Sequence, residues 1–122
     1  MVKFMKAFAQ LLKRGETILI YPEQGMWWNY RKPRPMQDGA FSLAVRNKAP
    51  VVPIFITMED SDVMDPDGFF VQEYTMHILP AIYPDETLSP IAAKKDMKNK
   101  NYEAWVKVYE AFYQKPLVYG EL

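Results

Sequence analysis

The sequence predicts an α/β fold, a partial mixed sheet flanked by helices that reads as the C-terminal portion of a larger α/β domain. Three observations carry this. Two continuous apolar runs of strand length, 17–21 and 51–56, bracket a helical pattern. Residues 70–79 alternate in the two-residue period of a strand, and an aromatic stripe at helical spacing follows them.

The first helix rests on Phe4, Phe8, Leu11 and Leu12, which recur on one face. Lys13 and Arg14 fall in its last turn and Gly15 just beyond, where cations and a glycine suit the orphan carbonyls. Thr17 to Tyr21 is apolar without alternation, the mark of a strand covered on both faces, and Pro22 ends it. Asp38 is placed to cap a second helix, starting near Gly39 and stopping near Asn47. Val51 to Ile56 forms the second buried strand, with Pro53 marking an edge or bulge. Strand, helix and strand together predict a right-handed βαβ unit.

Beyond it, Phe70, Gln72, Tyr74, Met76 and Ile78 share one face of a strand. Val71, Glu73, Thr75, His77 and Leu79 share the other, and one face is wetter, with His77 placed on it. The acidic run Glu59, Asp60, Asp62, Asp65 and Asp67 ends in Asp67-Gly68, which reads as a solvated turn. Its glycine is misplaced for a calcium loop, and no bidentate glutamate closes it. The terminal helix carries Tyr102, Trp105, Val106, Tyr109, Phe112 and Tyr113 on one stripe and ends before Pro116.

Length and composition set the bounds. The 122 residues make one domain, 1–122. Fifteen basic and fifteen acidic residues cancel, so any attraction for a polyanion is local. Without cysteine there is no disulfide, thiolate metal site or cysteine nucleophile. No run approaches the ~20 apolar residues of a spanning helix. Lys3, Lys6, Lys13 and Arg14 interrupt any export signal at the start.

The candidate site is the segment 22–38. It has no periodicity, and loops that long in small domains are usually functional or disordered. Trp27 and Trp28 argue for packing, since each buries on the order of 200 Å². Pro22 and Glu23 stand at the carboxyl end of the first apolar run, where ligands bind in open α/β sheets. Arg31, Lys32 and Arg34 offer a clamp for phosphate, and Gly39 opens a helix whose N-terminus favours an anion. Trp27 and Trp28 suit contact with an acyl chain or a membrane surface, or burial against another part of the protein.

The ordered set Tyr21-Pro22-Glu23, basic stretch, Gly39-Ala40-Phe41 and Val51-Val52-Pro53-Ile54 resembles the back half of the glycerolphosphate acyltransferase superfamily, in particular the bacterial 1-acyl-glycerol-3-phosphate acyltransferases. The resemblance covers roughly residues 5–85. It implies transfer of an acyl group from acyl-coenzyme A or acyl carrier protein, as co-substrate and with no cofactor, to a lysophospholipid-type acceptor. In that family a histidine with an aspartate four residues later is the base that takes the acceptor's proton. Here the one histidine is His77, and Ala81 stands four residues on. No catalytic residue is therefore assigned in this chain, which is expected to be inactive alone. Gln24, Gly25 and Met26 replace the family's glycine, threonine and arginine after Pro-Glu, which opens the phosphate role to Arg31, Lys32 and Arg34.

Further expectations are a cytoplasmic location with peripheral contact on the inner face of the cell membrane, self-association through exposed sheet edges, and no nucleic-acid partner. The alternative reading is a non-catalytic module that binds anions, nucleic acid or another protein. There the Arg-Lys-Pro-Arg stretch and its aromatic neighbours would grip phosphates and bases.

Overall fold

Helix α1 (Val2–Lys13) closes where its sequence signals it should. Gly15 takes φ +80, and the N–H groups of Gly15 and Glu16 donate to the carbonyls of Leu12 and Leu11 at 3.0 and 3.1 Å. In this computed structural model, which describes residues 2–25 and 31–119, four further elements follow: α2 (Gly39–Arg46), β1 (Ile54–Met64), β2 (Phe70–Ile78) and α3 (Pro90–Tyr113). The chain is α/β, a two-stranded sheet flanked by helices.

One expected strand is missing. Residues 17–21 take no strand conformation, and Leu19 and Tyr21 are 71% and 70% exposed. A strand persists only where a neighbour completes its ladder, and no described strand lies alongside this one. The βαβ unit therefore does not form, and the sheet pairing is antiparallel instead.

Asp38 occupies the N-cap of α2, but its side chain makes no capping bond. The carboxylate reaches α3, 2.9 Å from Lys98 Nζ and 3.5 Å from Lys94 Nζ. At the other end Asn47 Nδ2 donates to the Leu43 carbonyl at 2.8 Å. The strand expected at 51–56 begins later, at Ile54. Val51 instead exchanges two backbone bonds with Ile82, at 2.8 and 2.7 Å. Pro53 is buried, and its carbonyl accepts from the Leu79 N–H at 2.9 Å.

β1 runs through the acidic stretch and turns as expected at 65–69. Asp65 Oδ1 accepts from the backbone N–H of Asp67 and of Phe69, each at 2.9 Å, and Gly68 takes the positive φ of +87 that the turn requires.

Pairing of Phe55 with His77, Ile56 with Met76, Thr57 with Thr75 and Met58 with Tyr74 fixes which residues share a face. The face carrying Phe55, Thr57 and His77 packs on α3. The face carrying Ile56, Tyr74, Met76 and Ile78 is open, with Tyr74, Met76 and Ile78 more than 60% exposed. This reverses the expected polarity: His77 lies on the drier face, half-buried against Phe112 with ring centroids 6.2 Å apart. The choice follows from α3, whose stripe offers Trp105 and Phe112 to whichever face holds Phe55 (Phe55 and Trp105 centroids 5.6 Å apart).

Helix α3 begins at Ser89, whose hydroxyl accepts from the Ala92 N–H at 3.2 Å, with Pro90 in the first helical turn. It ends at Gln114, in the left-handed conformation at φ 53. The expected stripe faces inward. Trp105 and Tyr109 join Met97 from α3 with Phe41 and Ala44 from α2, Phe55 from β1, and the loop residues Met36 and Leu117 in one core. Asn101, 2% exposed, donates to Met36 Sδ at 3.1 Å and so ties the candidate loop to α3.

Candidate functional site

The loop between residue 21 and α2 is pinned at three points. The Pro22 carbonyl accepts from the Gln37 N–H at 2.7 Å, and the Gln24 N–H donates to the Tyr21 carbonyl at 3.1 Å. Met36 is buried in the core at the loop's far end. Pro22–Glu23 is thereby held beside the descending arm 33–37.

Glu23 sits within that arrangement. It is half-buried, and its Oε2 accepts the Arg34 backbone N–H at 2.5 Å. Burial raises the Glu23 carboxyl above its ordinary pKa, against the pull of that N–H and of the Arg34 guanidinium. The guanidinium passes directly over Gly25, where a Cβ would lie 2.6 Å from Nη1. Gly25, which departs from the family pattern, is thus the residue that lets Arg34 come in.

Lys32 reaches the other way. Its Nζ lies 5.2 Å from the centroid of the Tyr119 ring, a cation–π geometry. Tyr119 also packs on Tyr102 of α3, centroids 6.2 Å apart. Burial pushes its hydroxyl pKa well up, and Tyr102 and Glu23 add to this electrostatically. The sequence reading missed Tyr119. Nothing near residue 119 in the chain marks it, and the cation it meets, Lys32, lies almost ninety residues upstream.

Of the expected site residues, Pro22, Glu23, Lys32 and Arg34 are gathered on this loop and the tyrosines facing it. Gly39 lies at the start of α2 with Gln24 Nε2 beside it, 3.3 Å from where a Cβ would stand. Arg31 is directed to the sheet, with Nη2 3.4 Å from Asp60 Oδ1. Trp27 and Trp28 lie outside the described residues. A cleft of about 350 Å³ opens elsewhere, between the end of α2 and the start of α3, lined by Val45, Lys48, Asp85, Glu86, Leu88 and Ala93. No expected site residue lines it, and Lys48 pairs with Glu86 at 3.5 Å on its wall.

Among the described residues no three His, Asp or Glu side chains gather in a form that could hold a metal ion. None of the helices searched among them is long and apolar enough to cross a membrane.

No curated protein and no solved structure matches the chain. A family model does, over residues 1–57. Besides α1, that span takes in the Pro22–Glu23 turn, the basic arm, α2 and the Val51-Val52-Pro53-Ile54 block, the ordered features that carried the sequence resemblance. The matched family is Acyltransferase, and the chain is consistent with a fragment of a glycerolphosphate acyltransferase-like member of it.

Proposed function

We propose that this chain supplies the acceptor-binding part of an acyltransferase acting on a 1-acyl-glycerol-3-phosphate-like lysophospholipid, with acyl-coenzyme A or acyl carrier protein as donor. The observation that carries the reading is the tie of Glu23 to Arg34 across the loop: the half-buried carboxylate accepts the Arg34 backbone N–H, and the Arg34 guanidinium lies against Gly25, two residues after Glu23. Arg34 supplies a planar fork suited to two phosphate oxygens, and Lys32 a point charge; each charge-assisted bond is worth about 1.5–3 kcal/mol. Glu23 accepts hydrogen bonds from the glycerol hydroxyls. Gly39, at the amino end of α2, lets an anion approach backbone N–H groups.

The chemistry itself needs a base for the acceptor hydroxyl, and the histidine–aspartate pair of the family is not among these 122 residues. His77 does not replace it, because its Nε2 is engaged by Thr57 Oγ1 at 2.8 Å on the face packed against α3. The chain alone therefore binds acceptor without turning it over. Trp27 and Trp28 contribute the acyl or membrane contact, and the protein works at the inner membrane surface.

The test is a nuclear magnetic resonance titration of the chain with monomeric 1-acyl-glycerol 3-phosphate, and in parallel with the uncharged 1-acyl-glycerol. Saturable shifts at Glu23, Lys32 and Arg34 with the phosphate ligand only are expected. Equal response to both ligands, or none, overturns the proposal. Acyl transfer by the purified chain at the rate of a complete enzyme overturns the assignment of the base elsewhere.

A further inference from the structure

The segment after α3 turns back onto the candidate loop. Gln114 breaks the helix in the left-handed conformation, and its side chain caps the Ala111 carbonyl at 2.6 Å. Leu117 is buried in the core, and its N–H donates to Glu110 Oε1 at 3.2 Å. Two residues on, Tyr119 presents its ring to Lys32, backed by Tyr102.

Each cation of the basic arm is met by a different part of the fold. Arg31 meets Asp60 of β1, Arg34 lies over Gly25 beside Glu23, and Lys32 lies over Tyr119. Of the three, lysine has the most to gain from such support. Its flexible four-carbon stem gives up rotamer freedom whenever the ammonium is fixed on a ligand. A ring that already holds the ammonium removes part of that cost before the ligand arrives.

We propose that Tyr119 is a positioning residue of the anion site: its ring holds Lys32 ready for a phosphate group, so the segment 115–119 sets phosphate affinity together with the loop. This rests on the reading that the loop binds a phosphate. The ring face, not the hydroxyl, carries the effect.

The experiment uses the full chain, wild type and Y119F, Y119L and K32A variants, titrated with inorganic phosphate and with glycerol 3-phosphate while the Lys32 side-chain methylene resonances are followed. In the wild type and Y119F these resonances stand upfield from the ring current. In Y119L, which keeps apolar bulk, they return toward the free-lysine position, and affinity for both probes falls about two- to five-fold, the weight of an exposed cation–π pair. In a K32A background, Y119L makes no further difference.

An unshifted Lys32 in the wild type overturns the proposal without any variant having to fold. A shifted Lys32 with equal affinity in Y119L overturns it too, and leaves the loop reading standing. A further loss from Y119L in the K32A background assigns Tyr119 to packing and also overturns it. A wild type that binds neither probe removes the loop reading, and this inference with it.

Discussion

Glu23 and Arg34 are joined through the main chain: the Arg34 N–H donates to Glu23 Oε2, while the guanidinium lies against Gly25. The bond spans eleven residues and sets the loop's shape without spending the guanidinium's donors. Glutamine at position 23 could accept the same N–H, so shape and charge are separable by substitution.

That separation gives a pH-dependent outcome. Burial raises the folded-state pKa of Glu23, so the folded chain holds this proton more tightly than the unfolded chain. Its favourable contribution is complete below the unfolded pKa and is lost as pH rises through the folded value. At pH 7 the ionised group opposes folding, and E23Q is expected to raise the melting midpoint there. The gain should fade as the pH is lowered through the folded pKa, as thermal melts of both chains at a series of pH values would show. A gain that persists or grows in acid contradicts the assignment.

Asp38 has the opposite slope. Lys98 first, through hydrogen bond and charge, then Lys94, hold its carboxyl below the usual aspartate value. The stability this supplies is present above the unfolded pKa and is lost as pH falls through the folded one. The group is well exposed, so solvent screening keeps the term small. D38N is expected to cost about 0.2–1 kcal/mol at low salt and less at 1 M salt. Denaturant melts at two ionic strengths check this, and a loss unaffected by salt would point to a capping role instead.

G25A separates binding from folding. The new methyl group meets the end of the flexible Arg34 side chain and not the backbone, so the guanidinium can swing away. Stability should change by less than about 0.5 kcal/mol, as at other surface sites. Phosphate binding should weaken several-fold, and a calorimetric titration that finds it unchanged shows the guanidinium is not a ligand there.

Trp105 tests the core. It is 6% exposed and packed at a tilt against Phe55, and its Nε1 has no acceptor among the described residues. W105A should cost about 3–5 kcal/mol, enough to unfold much of a small domain. W105F gives up no hydrogen bond and should cost clearly less. Urea melts of the two variants distinguish a packing role from a polar one.

Thr57 is fully buried, with Oγ1 against His77 Nε2. T57V keeps the shape and removes the hydroxyl, which should cost about 1–3 kcal/mol by stranding the imidazole nitrogen. An accompanying H77F should recover part of it, and additive losses in the double mutant rule out coupling.

Much of the fold was legible because local chemistry decides it. The C-terminus of α1 followed from Lys13, Arg14 and Gly15, the bounds of α2 from Asp38 and Asn47, and the inward stripe of α3 from aromatic spacing. The strand expected at 17–21 was not decided locally. Its apolar run states only that it suits a covered strand, and pairing depends on a neighbour that the described chain does not offer.

What the sequence by itself determined is therefore the class of fold, the helices, the solvated turn at Asp67-Gly68 and the ordered family features from Pro22 to Ile54. The tertiary structure alone decided which face of the hairpin is dry, since alternation is symmetric until α3 chooses a side. It also decided that Asp38 binds lysines instead of capping α2, and that Tyr119 meets Lys32. Those facts are contacts between residues far apart in the chain, from thirty-five positions for His77 and Phe112 to eighty-seven for Lys32 and Tyr119. No periodicity encodes them; they arise when burying the α3 stripe brings the hairpin, the candidate loop and the segment after α3 together.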